Sequence, residues 1–320
     1  MRYREFAGKQ ASVLALGTMD FGGKIPEGMA FDCLDAYVEM GGNNIDTARV
    51  YGDFVSGRQG GSEEVIGRWL ERRGAREKIV LGTKGAHPPM EDMHRGRLSR
   101  GEIEGDIQKS LEALRTDFVD IYWLHRDDEN RPVADILETL NGLIDRGWTR
   151  VLGASNWSIE RIREANDYAR EHGLAGFAAN QPQFSLAKQV VCHDDTLKQM
   201  DARTWEFHRE TGLKCFAFSS QAKGFYTKLE QLGEAGLSPK ARERFYFPEN
   251  TDRLAELKKL SGETGYSVNA LCILYLTSQP FEVYPILGYS RLEQLLSAKE
   301  AADGKLTREQ VLRLKPEWVW

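Results

Sequence analysis

The sequence predicts an α/β protein with the architecture of a (β/α)8 barrel, or TIM barrel. Eight short apolar runs alternate with stretches of helical period along the 320 residues. The apolar runs lack in–out alternation, which is typical of parallel strands covered on both faces. No linker or low-complexity tract interrupts the repeat, so we expect a single domain over residues 1–320. The alternative fold is a doubly wound open sheet.

Each element is predicted from its own pattern, and the short apolar runs give the strands. The predicted strands are residues 12–16, 44–46, 78–84, 118–125, 150–154, 177–180, 213–218 and 283–287. Apolar residues at helical spacing predict helices at 26–40, 62–73, 99–114, 132–146, 158–173, 201–211, 250–262, 268–278 and 292–301. Ser62 is the expected N-cap of the second helix, and Ser99 with Glu102 fits a capping box that opens the third.

Composition argues against several classes of protein. The formal net charge of -5 gives no footprint for binding nucleic acid. No apolar run approaches the roughly 20 residues of a membrane helix, and the N-terminus lacks the apolar core of a signal peptide. The four cysteines are widely spaced without a CxxC pair. We therefore expect reduced thiols in a cytoplasmic protein.

Three consecutive predicted strands end in a titratable side chain. These are Asp46, Lys84 and His125, and Tyr51 follows Asp46 by five residues. In a barrel the C-terminal strand ends form the active site, and in a doubly wound sheet they share one edge, so either fold clusters them. A carboxylate at the end of a buried strand needs a cation, which Lys84 can supply.

The residue types in this cluster suit the reduction of a carbonyl group. The side chain of a tyrosine has a pKa of about 10, and a nearby ammonium lowers that pKa by stabilising the phenolate. Lys84 would act in this way while Asp46 holds it, and His125 offers a donor to a carbonyl oxygen. Hydride would go to the carbon and a proton from Tyr51 to the oxygen. One such residue alone is more often a salt bridge or a cap, whereas the set is much harder to explain in that way, and from the residues alone both interpretations stay open.

These motifs resemble the aldo-keto reductase family, whose catalytic tetrad is Asp, Tyr, Lys and His. The matching motifs are Asp-Thr-Ala-x-x-Tyr at 46–51, Gly-Thr-Lys ending at Lys84 and Leu-His ending at His125. The resemblance extends from Gly17 to Gly288. It implies an NAD(P)H-dependent reductase on a (β/α)8 barrel, in which the nicotinamide gives the hydride and Tyr51 the proton. A small-molecule aldehyde or ketone would be the substrate.

The resemblance also implies a cofactor site. Residues 153–156 (Gly-Ala-Ser-Asn), with Gln181, resemble the family's carboxamide-binding residues, and 217–224 resembles the segment whose aromatic ring stacks on the nicotinamide. Phe218 stands there in place of the common Tyr. Residues 288–294 resemble the loop and helix that hold the adenosine phosphate. The implied contacts are Ser155, Asn156, Gln181, Phe218, Ser219, Gln221, Gly224, Gly288, Ser290, Arg291 and Gln294.

The phosphate-binding segment departs from the family pattern. Ser290 stands where the family often has Arg, and Arg291 comes one residue later. An Arg there can pair bidentately with a 2′-phosphate, so we expect NADPH rather than NADH. The family's Asn contact to adenine is missing, since Ser297 and Ala298 occupy that place. No Gly-x-Gly pair exists in the sequence, so the Rossmann fingerprint is absent.

Substrate selection is expected to depend on the barrel rim. The family's Tyr-Gly-x-Ser-Glu step is lengthened here through residues 52–61. Side chains that could either line the pocket or pack in the core are Met19, Phe21, Phe54, Val55 and Trp123. The aromatic tail, residues 318–320, could cover the pocket, pack on the barrel or join a subunit interface.

Two further stretches contain residue types that could bind a metal ion or supply a catalytic carboxylate. Residues 192–195 (Cys-His-Asp-Asp) have ligand types without a second cluster, so we interpret them as a polar loop and expect no metal. Asp127 and Asp128 are interpreted as structural.

Two other functional classes remain open from the sequence. A non-catalytic NADPH sensor on this fold would resemble the channel-associated β subunits. A barrel hydrolase could pair Asp46 with Asp127, but that leaves Lys84 and Tyr51 without roles. The oligomeric state is not predicted.

Overall fold

A computed structural model describes residues 1–52, 61–289 and 291–316, and its centre is a closed barrel of eight parallel strands. The barrel strands follow an antiparallel hairpin of β1 (Tyr3–Phe6) and β2 (Lys9–Ser12). They are β3 (Ala15–Gly17), β4 (Asn44–Asp46), β5 (Val80–Gly85), β6 (Val119–Leu124), β7 (Thr149–Ser155), β8 (Phe177–Gln181), β9 (Lys214–Ala217) and β10 (Val283–Gly288). β10 pairs with β3 and closes the ring, which confirms the barrel and excludes the open sheet.

Helices surround the barrel. The longer ones are α1 (Glu27–Glu39), α2 (Gly61–Arg73), α3 (Arg100–Leu114), α4 (Val133–Asp145), α5 (Ile159–His172), α6 (Ala202–Thr211), α9 (Pro248–Thr264) and α10 (Val268–Thr277). The shorter ones are α7 (Phe225–Leu232), α8 (Pro239–Phe245), α11 (Leu292–Ser297), α12 (Lys299–Asp303) and α13 (Arg308–Leu314). In the described ranges no helix has both the length and the apolar character needed to cross a membrane.

The N-terminal hairpin was not predicted. Residues 12–16 were expected to form one strand, but Ser12 ends β2 and the barrel strand begins at Ala15. The break is fixed because the Ser12 hydroxyl donates to the carbonyl of Leu14 at 3.0 Å. The hairpin turns at Ala7 and Gly8, whose φ angles of 52° and 75° suit the tight turn of a two-residue hairpin.

Aromatic side chains fill the barrel interior. The Phe6 ring of the hairpin lies 5.1 Å from that of Phe216, which in turn lies 5.1 Å from the Trp123 ring. Gly153 leaves room for this layer, since a Cβ there would lie 2.2 Å from the Trp123 ring. Trp123 is therefore core and does not line a pocket, which decides between the two interpretations drawn from the sequence.

Several helix boundaries differ from the predicted ones. The Ser99–Glu102 capping box is confirmed. Ser62 was wrongly expected to be an N-cap: it lies inside the first turn of α2, and its hydroxyl bonds Thr18 and Thr47 instead. The predicted final helix is two short helices, α11 and α12. Helices α7, α8 and α13 were not predicted.

The buried carboxylate of Asp120, at the start of β6, links several elements at the floor of the barrel, the end at which its strands begin. Its Oδ1 lies 2.9 Å from Lys9 Nζ and 3.5 Å from Arg150 Nε, and its Oδ2 lies 2.9 Å from Arg76 Nη1. The Leu81 N–H also donates to Oδ2 at 2.9 Å. The hairpin, the segment before β5, and β7 are thereby tied to one side chain.

We predict that Asp120→Asn lowers the free energy of unfolding by about 3 kcal/mol, because three cations lose the carboxylate they share in a buried place. Urea unfolding of the purified protein measures this change. The matched control is Asp117→Asn, at an exposed position three residues earlier, which should stay within about 0.5 kcal/mol of the parent. Equal losses in the two variants would contradict the role given to Asp120.

Candidate active site

Three neighbouring barrel strands deliver the four residues that the sequence singled out. β4, β5 and β6 are adjacent, with Asp46 in register with Gly82 and Lys84 in register with Trp123. His125 directly follows β6, and its N–H donates to the carbonyl of Gly85 at 3.0 Å. Parallel strands bring their carboxyl ends to one rim, so the side chains converge there.

Lys84 is the centre of the group. Its Nζ lies 2.5 Å from Asp46 Oδ2, 2.8 Å from the carbonyl oxygen of Thr47 and 3.2 Å from the Tyr51 hydroxyl. The Lys84 side chain is 1% exposed and that of Asp46 5% exposed. A buried ammonium is tolerated only with partners of this kind. Gln181 Nε2 donates to the other Asp46 oxygen at 3.0 Å, so both carboxylate oxygens are satisfied.

The loop that carries Tyr51 is fixed by backbone bonds to β5. The Arg49 N–H donates to the Lys84 carbonyl at 2.9 Å, and the Tyr51 N–H donates to the Ala48 carbonyl at 3.0 Å. Behind this loop the buried Glu63 accepts from Arg49 Nη1 at 3.0 Å and from Thr83 Oγ1 at 2.5 Å. The short distance between Tyr51 and Lys84 is thus held by the fold around it.

The pKa shifts follow from burial and from the Lys84 charge. Burial raises the pKa of the Tyr51 phenol, and Lys84 opposes that rise. The expectation of a lowered Tyr51 pKa was therefore wrong in its net direction, because burial outweighs the ammonium. Burial lowers the pKa of Lys84, but Asp46 and Tyr51 together raise it by more, so the net pKa of Lys84 is raised. Lys84 is accordingly a stable cation and Tyr51 a protonated phenol at neutral pH.

His125 is a neutral imidazole. Burial lowers its pKa well below the usual value, with His87 and Arg126 acting in the same direction. Its ring meets the Tyr51 ring edge-on, with centroids 5.9 Å apart. Its buried Nδ1 has no hydrogen-bond partner among the described residues. A proton on Nδ1 would be unsatisfied, whereas a proton on Nε2 can be donated to a bound oxygen.

His87 belongs to this group and was not singled out from the sequence. Its ring meets the His125 ring edge-on with centroids 4.6 Å apart, and burial lowers its pKa to about 4. A usable signal existed, since His87 follows Lys84 by only three residues at the end of a predicted strand. That position leads to the same rim as the tetrad.

Three of the residues expected to bind the cofactor lie beside the tetrad. Ser155, Asn156 and Gln181 are all buried at the ends of β7 and β8. Ser155 Oγ donates to the Gln181 carbonyl at 3.0 Å, and Asn156 Nδ2 donates to the His125 carbonyl at 3.3 Å. Through Gln181 this set is bonded directly to Asp46.

The remaining expected contacts lie after β9 and β10. Phe218 and Ser219 are half-buried where β9 ends, and Gln221 Nε2 donates to Asn269 Oδ1 at 2.8 Å. Four of the five remaining expected contacts lie at or near the surface. Gly224 and Gln294 are half-buried, Gly288 and Arg291 are exposed, and Ser290 lies outside the described residues.

The two residues that follow His125 are committed to ion pairs. Asp127 lies 3.1 Å from Arg161 Nε, so it is not available as the partner carboxylate of a hydrolase. Arg126 donates to the His125 carbonyl at 2.8 Å and pairs with Asp194 at 3.2 Å. Residues 192–195 therefore belong to a polar loop over the site, and residues 1–52, 61–289 and 291–316 hold no group of three metal-ligand side chains.

The candidate pocket walls separate into three groups. Phe21 is buried in the core, like Trp123, whereas Met19 is 49% exposed in the loop after β3. Phe54, Val55 and residues 318–320 lie outside the described residues. Met19 therefore remains a candidate pocket wall, and the assignment of Phe54 and Val55 stays a prediction.

Comparison with known proteins defines the class. A model of the aldo/keto reductase family matches residues 13–316, so the chain belongs to that family. It is 27% identical to the norsolorinic acid reductase stcV of Emericella nidulans, over 97% of this chain and 79% of that protein. It is 29% identical to an aryl-alcohol dehydrogenase [NADP(+)] of Phanerodontia chrysosporium, over 97% of this chain and 84% of that protein. The protein is therefore an oxidoreductase by family.

The burial of the Lys84–Asp46 pair leads to a stability prediction. Asp46→Asn and Lys84→Met each leave one buried charge without its partner, and each should cost about 3–5 kcal/mol of unfolding free energy. The double variant removes both charges and should lose less than the sum of the single losses, by about 1 kcal/mol or more. Urea unfolding of the four proteins measures the coupling. Strict additivity would show that the pair is not coupled.

Proposed function

We propose that the protein is an NADPH-dependent carbonyl reductase in which Tyr51 protonates the carbonyl oxygen. The observation that carries the proposal is the position of Lys84 Nζ, which lies 2.5 Å from Asp46 and 3.2 Å from the Tyr51 hydroxyl. A buried phenol in contact with a permanent cation is suited to release a proton only when negative charge develops in front of it. Among the described residues, the carboxylate that a hydrolytic function would pair with Asp46 is Asp127, which is already bound to Arg161.

Each tetrad residue has a role that follows from its contacts. The substrate oxygen would lie between the Tyr51 hydroxyl and His125 Nε2, both of which donate hydrogen bonds to it. As negative charge grows on that oxygen, Tyr51 transfers its proton. Lys84 then stabilises the tyrosinate, and Asp46 keeps Lys84 in place through the 2.5 Å contact.

The residues around the tetrad fit a nicotinamide cofactor. A bound reduced nicotinamide would supply the hydride for the carbonyl carbon. Ser155, Asn156 and Gln181 offer the donors and acceptors that a carboxamide needs, and they adjoin Asp46 and His125. Phe218 offers a half-buried ring at the same rim.

The backbone conformation of the segment after β9 supports a role for that segment in binding the cofactor. Ser219, Ala222 and Lys223 all have positive φ angles, of 52°, 46° and 58°. Such conformations are unfavourable for residues other than glycine and concentrate at ligand-binding sites. Arg291, exposed beyond β10, is the side chain we assign to a 2′-phosphate, which is the basis for preferring NADPH. The NADP(+) in the name of one relative is consistent with that choice.

We predict that Tyr51→Phe lowers the rate of aldehyde reduction about 100- to 10,000-fold, because the proton donor is removed while the ring is kept. Steady-state NADPH oxidation measures the rate. Binding of NADPH, followed by its fluorescence, should change by less than about twofold, since the hydroxyl is needed for chemistry and not for the cofactor.

The control for that experiment is Tyr3→Phe, in which the same hydroxyl is removed from an exposed residue of the hairpin. Parental turnover in Tyr51→Phe would contradict the assignment. A wild-type protein that binds NADPH tightly but turns over no aldehyde, ketone or sugar would instead indicate a non-catalytic sensor.

A further inference from the structure

His87 is held rigidly beside the tetrad by the loop that follows β5. Ala86 has a left-handed φ of 57°, and its N–H donates to Asp106 Oδ2 at 2.8 Å. Arg97 Nη1 donates to the His87 carbonyl at 3.0 Å and also contacts Asp106 at 3.3 Å. A non-glycine residue in this conformation is unfavourable unless its surroundings enforce it. The loop is thus built so as to hold the His87 ring in one place.

The hydrogen bond of His87 fixes its tautomer. Nδ1 lies 2.6 Å from the carbonyl oxygen of Pro88, which can only accept, so Nδ1 carries the proton. Burial lowers the pKa of the ring to about 4, so the ring is neutral at physiological pH. Nε2 therefore carries a lone pair, and it has no hydrogen-bond partner in the part of the chain that the structure describes.

The position of the His87 ring relates it to the substrate. The ring of His87 packs edge-on against His125, whose Nε2 donates to the carbonyl oxygen under the proposed function. The tetrad supplies donors to that oxygen from Tyr51 and His125. His87 differs from both, because at neutral pH its available nitrogen accepts and cannot donate.

We propose that His87 is a specificity-determining residue whose Nε2 accepts a hydrogen bond from a hydroxyl group next to the substrate carbonyl. The preferred substrates are then α-hydroxy aldehydes and ketones. This inference rests on the proposed reductase function and names the substrate class of the same site. An analogue with a methyl group in place of the hydroxyl would cover Nε2 without offering it a donor, which is the stronger source of discrimination.

The test compares two matched substrate pairs in which a hydroxyl is replaced by a methyl group. Lactaldehyde is paired with 2-methylpropanal, and 2-hydroxyacetophenone with propiophenone. The wild-type protein should have the higher kcat/KM for the hydroxylated member of each pair. In His87→Phe, which keeps a ring against His125 but has no acceptor, that preference should fall about 3- to 10-fold. Part of that fall should come from faster turnover of the methyl members, because they no longer cover an acceptor that has no donor.

Two further variants separate a binding role from a structural one. His87→Gln carries an amide oxygen that reaches the place of Nε2, and it should restore most of the preference. His87→Asn ends near the place of Nδ1, and it should lose the preference as His87→Phe does. His94→Phe, an exposed histidine in the same loop, is the control and should retain it.

The outcomes distinguish this inference from the function on which it rests. An unchanged preference in both His87→Phe and His87→Asn would overturn the role of His87, as would an equal loss for both members of each pair. If the wild-type protein reduces other aldehydes with NADPH but neither hydroxylated compound, the role of His87 fails and the reductase function stands. If it reduces no aldehyde, ketone or sugar at all, the reductase function itself fails.

Discussion

The ammonium of Lys84 is the charge around which the upper rim of the barrel is arranged. It lies at the end of β5, almost without contact with solvent, and it needs the Asp46 carboxylate at 2.5 Å to remain there. That requirement fixes the register of β4 on β5, since a shift of one residue would turn Asp46 to the other face of the sheet. Gln181 extends the constraint to β8 across the rim.

A second buried carboxylate serves the opposite end of the same strands. Asp120, on β6, gathers Lys9, Arg76 and Arg150 beneath the barrel. Between the two charged ends lies an aromatic layer that includes Phe6 and Trp123. The layer separates the floor of the barrel, whose charges maintain the fold, from the rim. At the rim, polar side chains keep hydrogen-bonding capacity for a ligand, as is usual for barrels of this type.

Much of this arrangement could be predicted because it depends on the ends of buried strands. Asp46, Lys84 and His125 each terminate an apolar run, and parallel strands place such ends together whatever the loops do. The Ala7–Gly8 turn was missed because a left-handed alanine leaves no mark in the sequence. The spacing of His87 from Lys84 pointed to the rim, but its contact with His125 could not be predicted, because the loop conformation depends on distant contacts of Asp106 and Arg97.

The direction of the Tyr51 pKa shows the limit of pairwise arguments. If only the pair of Tyr51 and Lys84 is considered, Lys84 should lower the pKa of the phenol, and the ammonium does act in that direction. Burial of the same hydroxyl acts in the opposite direction and is larger. The sequence identifies the partners, but only the packed structure gives the desolvation against which they work.

Stabilisation of the Tyr51 phenolate by Lys84 can be measured by titrating this one hydroxyl. The protein would be labelled with ¹³C at the tyrosine ring carbon that bears the hydroxyl, and the Tyr51 signal identified by its loss in Tyr51→Phe. Removing the ammonium leaves burial and the Asp46 charge, both of which raise the pKa of Tyr51. We therefore expect Tyr51 to ionise at a higher pH in Lys84→Met than in the wild-type protein. Ionisation at the same or a lower pH in the variant would contradict that stabilisation.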